Sequence, residues 1–166
     1  MKIGLISDTH GLLRPEALAA LAGCAHILHA GDIGTAEILD ALRGLAPLSV
    51  VRGNNDRAEW ALGLPEQLRL NLAGVSLYLL HDLAELRFDP AAEGIRVVIS
   101  GHSHKPKLEE RNGVLYLNPG SAGPRRFKLP ISVGMLHVDD SGVRGELIDL
   151  TPSPCFPQRR SHTSKA

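Results

Sequence analysis

Residues 1–11 read MKIGLISDTHG, an apolar run followed directly by the polar triplet Asp8-Thr9-His10. The apolar part has the length of a buried β-strand, and the break at Asp8 makes it too short for the hydrophobic segment of a signal peptide. We therefore predict that Lys2–Ser7 forms the first strand. Its carboxyl end delivers an aspartate and a histidine, two side chains that can ligate a metal ion.

Strand-like and helix-like segments alternate from this stretch up to residue 52. Pro15 suits the first position of a helix, and Gly23 suits the position after its end. A strand at His26–Ala30 is followed by a helix capped at Thr35 and by a third strand at Leu48–Arg52. This β-α-β-α-β order predicts parallel strands joined by right-handed crossovers.

The second half of the chain predicts hairpins instead. Three pairs of strand-like runs are joined by short turn sequences: Leu68–Leu72 with Val75–Leu80, Lys107–Arg111 with Val114–Leu117, and Ile131–Val138 with Val143–Leu150. The second pair brackets Asn112-Gly113, a strong hairpin signal. A weak helical stretch at Asp89–Glu93 precedes one further strand, Arg96–Ser100. We predict an α/β fold, a four-layer αββα sandwich of two mixed sheets packed face to face with helices outside.

Length and composition predict a single domain with a short tail. The chain has 166 residues, so residues 1–150 are expected to form one domain. From residue 151 onward prolines replace the apolar periodicity, and residues 151–166 are predicted to be a disordered C-terminal tail.

The charge balance excludes some classes of partner. Lysine and arginine number 18, as do aspartate and glutamate, and the formal net charge of zero argues against a general binder of nucleic acid or anionic membranes. We expect no stable nucleic-acid complex and no membrane association. The two cysteines, Cys24 and Cys155, form no CxxC pair, and the cytoplasm is the expected location.

Polar side chains follow five of the predicted strands. The segments are Asp8-Thr9-His10, Gly31-Asp32, Gly53-Asn54-Asn55-Asp56, His81-Asp82 and Gly101-His102-Ser103-His104. In open α/β sheets ligands bind beyond the carboxyl ends of the strands, so these side chains are expected to meet at one edge. Each motif alone has an ordinary explanation as a strand cap or a turn, but coincidence at every strand end favours a shared site.

The chemistry of these side chains favours a metal centre. Four histidines, two aspartates and one asparagine converge without a cysteine, a set that suits manganese, zinc or iron. One catalytic ion takes at most about four protein ligands, so seven candidates point to two ions that share a bridging carboxylate. Asp32 stands in the middle of the set and is the natural bridge. His29 is a candidate to orient a ligand, although a structural role fits it equally well.

The ordered set D-x-H, G-D, G-N-x-D, strand-end His and G-H-x-H resembles the calcineurin-like metallophosphoesterase superfamily. Within it the chain is similar to the YfcE-like group of small phosphodiesterases, which is related to Vps29. The resemblance runs from Asp8 to about Leu150. It implies a two-sheet sandwich and a binuclear metal-dependent phosphodiesterase, a hydrolase in which a hydroxide bridging two divalent metal ions attacks phosphorus.

The resemblance also implies roles for individual residues. One metal ion would be held by Asp8, His10, Asp32 and His104, and the other by Asp32, Asn54, His81 and His102. Asn54 would also polarise the phosphoryl group, Ser121 and Arg125 are candidate substrate contacts, and His29 and Asp56 are candidates to support the ligands from behind. The expected cofactor is two divalent metal ions, Mn²⁺ first, with Zn²⁺, Ni²⁺ or Fe as the other options.

Two positions depart from the superfamily pattern. Members that act on many phosphomonoesters often carry G-N-H, whose histidine helps to protonate the leaving group. Asn55 stands at that position and cannot supply a proton at neutral pH. Without a general acid, good leaving groups are expected to be favoured. The YfcE-like group also lacks this histidine and is associated with phosphodiesters, so the resemblance implies diester substrates. Asp82 stands where relatives usually have glycine, and its extra carboxylate is expected to alter metal affinity or to repel anionic substrate.

Two alternatives to the phosphodiesterase hypothesis stay open. The first is a catalytically silent protein-binding scaffold of the same fold, as in the Vps29 branch, because a fold does not guarantee a function. The second is a binuclear hydrolase of amides or esters. A homo-oligomer is also expected, since a small sandwich has edge strands that can pair.

Overall fold

The computed structural model describes residues 1–152, and the predicted tail lies outside this range from residue 153 on. Within these residues the chain forms ten strands and two α-helices. They are β1 (Lys2–Ile6), α1 (Pro15–Leu21), β2 (His26–His29), α2 (Ala36–Arg43), β3 (Leu48–Val50), β4 (Gln67–Leu72), β5 (Val75–Leu80), β6 (Val97–Ile99), β7 (Lys107–Arg111), β8 (Val114–Asn118), β9 (Ser132–Asp139) and β10 (Gly142–Asp149).

The strands form two mixed sheets of five strands each. The first has the order β10-β9-β1-β2-β3 and the second β4-β5-β6-β8-β7. The three strands β1, β2 and β3 are parallel, as are β5, β6 and β8, and the remaining pairs are antiparallel. Alternate residues of the two sheets, among them Leu5, Leu28, Leu77 and Val97, share one fully buried core. The predicted α/β architecture of two mixed sheets packed face to face is confirmed.

Both α-helices cover the outer face of the first sheet. α1 buries Ala17 and Leu21, and α2 buries Ile38, Leu39 and Leu42. These side chains share a cluster with outward-facing residues of β1, β2 and β9. Because three to four residues separate the buried positions, each helix presents a single apolar face to the sheet.

The outer face of the second sheet is covered by a 3-10 helix and turns rather than by an α-helix. The 3-10 helix spans Leu83–Glu85, and Leu83 and Phe88 pack near Tyr78 of β5. The helix predicted at Asp89–Glu93 is wrong: this stretch forms turns that end at Gly94, whose φ is +73°. Five residues closed by a glycine are too few to offset the cost of helix nucleation.

The predicted hairpins are confirmed. Asn112 and Gly113 join β7 to β8 with φ of +51° and +76°, the left-handed pair that a two-residue hairpin turn requires. Among the described residues no helix combines the length and the apolar content that crossing a bilayer requires. The parallel strands of both sheets end at a common edge of the sandwich, where the polar segments found in the sequence meet.

Candidate metal centre

The loops that follow β1 and β2 run side by side, which brings their polar side chains together. The backbone amide of Asp8 donates to the Gly31 carbonyl, and that of His10 donates to the Asp32 carbonyl, at 3.0 Å each. Among residues 1–152, eight residues other than glycine have left-handed backbone angles, and five of them are predicted ligands: Asp8, His10, Asp32, His102 and His104. Such angles cost roughly 1–3 kcal/mol each, so their concentration here indicates a site kept for its chemistry.

The first cluster consists of Asp8, His10 and His104. The Nε2 atoms of the two histidines are 3.2 Å apart. Oδ1 of Asp8 lies 3.3 Å from Nε2 of His104 and 3.7 Å from Nε2 of His10. This oxygen is buried and has no hydrogen-bond partner among the described residues, whereas Oδ2 accepts from the Ser7 hydroxyl and the His102 amide. An open carboxylate oxygen beside two imidazole nitrogens is a donor set for a divalent cation.

The second cluster consists of Asp32, Asn54, His81 and His102. Nδ1 of His81 carries a proton, because it lies 2.7 Å from the Ala30 carbonyl, which can only accept. Its Nε2 faces two further acceptors, Oδ2 of Asp32 at 3.3 Å and Oδ1 of Asn54 at 3.0 Å. Nδ1 of His102 is 3.2 Å from the same Asn54 oxygen. A proton on Nε2 of His81 or a metal ion between these atoms would satisfy the converging acceptors.

The two clusters form one centre. Oδ2 of Asp32 lies 3.7 Å from Nε2 of His10, which links the second cluster to the first. Two triads share Asp8: one contains His10 and His104, and the other contains Asp32 and His81. Within each triad the possible ligand atoms lie within 4.8 Å of one another. The structure thus brings together all seven residues that the sequence predicted as ligands, and the described residues contain candidate metal-binding groups.

Both carboxylates of the centre are ionised at neutral pH. Burial by itself raises the pKa of Asp8, but the imidazoles of His10 and His104 outweigh it and hold that pKa far below its ordinary value. Burial also opposes ionisation of Asp32, yet hydrogen bonding, first from His81, lowers the pKa of this carboxyl to about 2. For His81, burial lowers the pKa while the Asp32 carboxylate raises it, with a net increase. Two buried negative charges therefore face the histidines.

Asn55 and Asp56 position the ligand loops. The Asn55 backbone amide donates to Oδ1 of Asp32 at 2.9 Å, and its side-chain amide donates to Oδ2 at 2.8 Å. No feature of the sequence indicates this role of Asn55. Asp56 accepts the Gly53 amide through Oδ2 and the two amides that follow Asp32 through Oδ1. Its carboxylate therefore ties the loop after β2 to the loop after β3.

His29 lies behind the first cluster and is fully buried. Its Nδ1 accepts from the Gly31 amide at 3.1 Å, so its proton is on Nε2, which donates to the Thr9 hydroxyl at 3.0 Å. Thr9 in turn donates to the Ile33 carbonyl at 2.8 Å. The chain of hydrogen bonds fixes the residue between Asp8 and His10. Burial lowers the pKa of His29 to about 4.

The depressed pKa of His29 predicts a loss of stability in mild acid. The folded chain holds this imidazole neutral, so its contribution is complete above pH 6.5 and falls as the unfolded chain takes up a proton between pH 6.5 and about 4. For metal-free protein taken from pH 7 to pH 5, we expect the free energy of unfolding to fall about 2 kcal/mol more than in His29→Gln. Urea denaturation at both pH values measures the difference, and equal losses in the two proteins would contradict it.

Two further residues hold the ligand loops. Ser7 donates to the Asp8 carboxylate at 2.7 Å, and the Asn118 side-chain amide donates to the Gly101 carbonyl at 2.8 Å and to the Ser103 hydroxyl at 3.1 Å. Asn118 thereby fixes the loop that carries His102 and His104. The sequence held a signal for it, because Asn118 ends a strand at the same edge as the ligands.

Ser121 and Arg125, the predicted phosphate contacts, follow β8. The buried Ser121 hydroxyl donates to the Asp8 carbonyl at 2.9 Å, so it supports a ligand loop. The exposed Arg125 donates through Nε to the Leu129 carbonyl at 3.0 Å. Neither contact tests a role toward phosphate, and both assignments stay predictions.

Asp82 lies at the open side of the centre. Its Oδ1 accepts the Ala84 amide at 3.0 Å and so caps the 3-10 helix. Its Oδ2 is 3.8 Å from Nε2 of His102, the ring nitrogen that points away from Asn54. The extra carboxylate thus faces a ligand candidate from outside and occupies the rim rather than the interior of the centre.

Comparisons with known proteins show which proteins the chain is similar to. Residues 1–141 match the sequence profile described as the calcineurin-like phosphoesterase superfamily domain. The chain is 38% identical over 160 residues to a probable metallophosphoesterase from Methanothermobacter thermautotrophicus, with 89% of this chain and 92% of that protein covered. It is 31% identical over 169 residues to phosphodiesterase YfcE from Escherichia coli K12, with 84% and 89% covered.

A solved structure of Vps29 has the same fold as this chain. Wild-type Vps29 from Entamoeba histolytica, complexed with Zn²⁺, superposes on this chain with a TM-score of 0.69 at 25% identity. The superposition covers 90% of this chain and 99% of that one. The chain is therefore similar both to proteins named as phosphoesterases and to Vps29.

Proposed function

Because this chain belongs to the calcineurin-like phosphoesterase superfamily, we propose that it hydrolyses phosphodiester bonds with two bound divalent metal ions. The ions, when bound, supply a hydroxide nucleophile at neutral pH and positive charge opposite the phosphoryl oxygens. Mn²⁺ is the proposed metal, and Zn²⁺, Ni²⁺ and Fe have the same preference for nitrogen and oxygen ligands.

The observation that carries the proposal is the unsatisfied polarity of the centre. Oδ1 of Asp8 is buried without a hydrogen-bond partner among residues 1–152, and Nε2 of His81 faces two acceptors. A buried polar atom left unpaired costs about 1–3 kcal/mol, and more when it is charged. Cations at these two places would satisfy both, so the residues fit the metals that the family implies.

The chain's own residues divide into three roles in this proposal. Asp8, His10 and His104 would hold one ion, and Asn54, His81 and His102 would hold the other, with Asp32 available to both. The Asn54 carbonyl oxygen faces the histidines, which leaves its amide nitrogen to donate to a phosphoryl oxygen. Asn55 and Asp56 keep Asp32 and its loop in place.

The position of Asn55 supports a preference for good leaving groups. Its side-chain amide donates to Asp32 and carries no proton that it can release at neutral pH. The leaving oxygen therefore takes its proton from water, and the roughly 10²–10⁴-fold benefit of a positioned general acid is missing. Diesters with stable leaving anions are the substrates that suit such a centre.

A chelation experiment tests the proposed function. Protein stripped of metal and then given Mn²⁺ is expected to release nitrophenol from bis-p-nitrophenyl phosphate faster than from p-nitrophenyl phosphate. The rate of cleavage by the variant His102→Ala is expected to fall at least about 100-fold. Removing a residue that orients a metal ligand already lowers activity by up to about 100-fold, and removing the ligand itself is expected to lower it no less. His137→Ala is the matched control, since His137 lies on β9 and pairs with Glu146 away from the centre.

Each result distinguishes the proposed phosphodiesterase from one of the alternative functions. A preference for the monoester would contradict the argument from Asn55. No cleavage by protein that binds metal would favour the scaffold alternative, and cleavage of amides or carboxylic esters alone would favour the other hydrolase. The proposed cytoplasmic location, the homo-oligomer and the absence of stable nucleic-acid and membrane complexes stay predictions.

A further inference from the structure

Two clefts of opposite charge open on either side of His102. The first, here called the basic cleft, has a volume of about 210 Å³ and includes Lys105, Lys107 and Arg111 in its lining. The second, the acidic cleft, has a volume of about 120 Å³ and includes Glu66 and Glu85. His102 belongs to both linings, and 46% of its side chain is exposed. A diester at the metal centre has two ester arms, and each cleft offers a place for one.

The positive charge of the basic cleft is only partly neutralised. Lys107 and Arg111 share one carboxylate, that of Glu109, with Lys107 Nζ at 2.6 Å from it. Lys105 has no acidic side chain within ion-pair distance among residues 1–152. Asp82 stands at the junction of the two clefts and is the acid that the basic lining contains. In a chain with no net charge, this local excess of cations is a feature of the site.

The basic cleft also has a flat aromatic wall. The guanidinium carbon of Arg111 lies 4.6 Å from the centre of the Tyr116 ring. Leu83 adds apolar surface on the side of the 3-10 helix. Aromatic rings and guanidinium planes are surfaces on which nucleobases stack, and ammonium groups beside them bind phosphate. A ligand that joins an aromatic ring to a negatively charged group is complementary to this lining.

The acidic cleft repels the same ligand. Arg52 is its cation and is already paired with Glu66 at 2.6 Å, so Asp82 and Glu85 leave it negative. An anionic arm placed there would face like charges beside the metal centre. The charges of the two clefts would therefore favour one orientation for a diester with one charged arm and one neutral arm.

We infer that the basic cleft binds one ester arm of the substrate and that this arm is a nucleotide, an aromatic base with a further phosphate group. The inference rests on the proposed phosphodiesterase function and adds the substrate class to it. Pockets that enclose whole drug-sized ligands measure roughly 300–1,000 Å³, so a cleft of about 210 Å³ takes one arm rather than the entire molecule. Hydrolysis adds water across the phosphorus–oxygen bond and separates the nucleotide arm from the other arm.

Three synthetic esters test the inference through the same released nitrophenol. They are bis-p-nitrophenyl phosphate, thymidine 5′-(p-nitrophenyl phosphate), and the latter with a 3′-phosphate. With the manganese-restored wild type, the 3′-phosphate is expected to raise kcat/KM about tenfold, the value of one charge-assisted contact. The ratio between the two thymidine esters is expected to fall to about one in K105A/R111A and to keep its wild-type value in the charge-matched control R43A/R69A.

The outcomes separate the two proposals. Cleavage of all three esters without an effect of the 3′-phosphate, or an effect that survives in K105A/R111A, would overturn the assignment of the basic cleft and leave the phosphodiesterase function standing. Equal loss of the ratio in the charge-matched control would show a general effect of net charge and would also overturn it. Cleavage of none of the esters would overturn the proposed function and the cleft assignment with it.

Discussion

Replacing Asp32 with asparagine is expected to lower kcat/KM for bis-p-nitrophenyl phosphate by roughly 10²–10⁴-fold, because removing one partner from a buried charged cluster costs about 3–5 kcal/mol and each 1.4 kcal/mol is about a factor of ten. Asp32 is 3% exposed, and its oxygens face His10, His81 and Asn55. Asparagine keeps the shape but removes the charge between the two clusters. One of its two terminal positions also becomes an amide that faces the donors of Asn55.

The measurement is steady-state cleavage after chelation and reconstitution with Mn²⁺. Asp140→Asn is the matched control, because Asp140 is exposed in the turn between β9 and β10 and the substitution removes the same charge. The control is expected to keep wild-type activity. Activity of Asp32→Asn within a factor of a few of wild type would contradict the placement of Asp32 between the two ions.

Gly53→Ala is expected to disturb the centre sterically while Gly63→Ala leaves it intact. A Cβ at Gly53 would lie 2.1 Å from Oδ1 of Asp32 and 2.4 Å from its backbone nitrogen, so the Asp32 loop has to move. Overpacking of this kind costs typically about 1–3 kcal/mol of stability. A Cβ at Gly63 meets nothing within 4 Å, and neither glycine has a left-handed φ.

Two readouts check this pair of variants. Urea denaturation of the metal-free proteins is expected to show the loss of stability in Gly53→Ala alone. Titration with Mn²⁺ is expected to show weaker binding, because the displaced carboxylate no longer faces His81. Equal stability and equal affinity in the two variants would contradict the steric clash expected between a Cβ at Gly53 and Asp32.

The fold could be predicted where local chemistry and periodicity agree. The turn at Asn112-Gly113 followed from the left-handed angles that this dipeptide accepts, and β1 followed from an apolar run broken by Asp8. The prediction of a helix at Asp89–Glu93 was wrong because residue composition does not show whether a five-residue stretch before Gly94 can nucleate a helix. The layer outside the second sheet is made of the 3-10 helix and turns, whose packing depends on tertiary contacts.

That the candidate ligand residues lie close together could be predicted because they stand directly after strands. Asp8, Asp32 and His81 each follow an apolar run, and parallel strands bring such positions to one edge. The residues that hold the ligands could not be predicted in the same way. At Asn55 the sequence shows only that a proton donor is absent, because the hydrogen bonds of Asn55 to Asp32 depend on the loop conformation after β3.

The charge of the two clefts was also beyond the sequence. Lys105 stands before β7 and Arg111 ends it, with two glutamates between them, whereas Glu66 and Glu85 of the acidic cleft lie in a loop and in the 3-10 helix. The sequence does not show that the two groups line separate clefts, because that depends on how the 3-10 helix packs against the second sheet. Substrate selectivity of this kind is set by tertiary structure rather than by a motif.

The most direct test of the account is the number of metal ions per chain. Chelator-stripped protein is titrated calorimetrically with Mn²⁺, and Asp32→Asn is titrated beside it. We expect two ions per chain in the wild type and a lower stoichiometry or affinity in the variant, because Asp32 faces both clusters. Substoichiometric binding that Asp32→Asn leaves unchanged would contradict it.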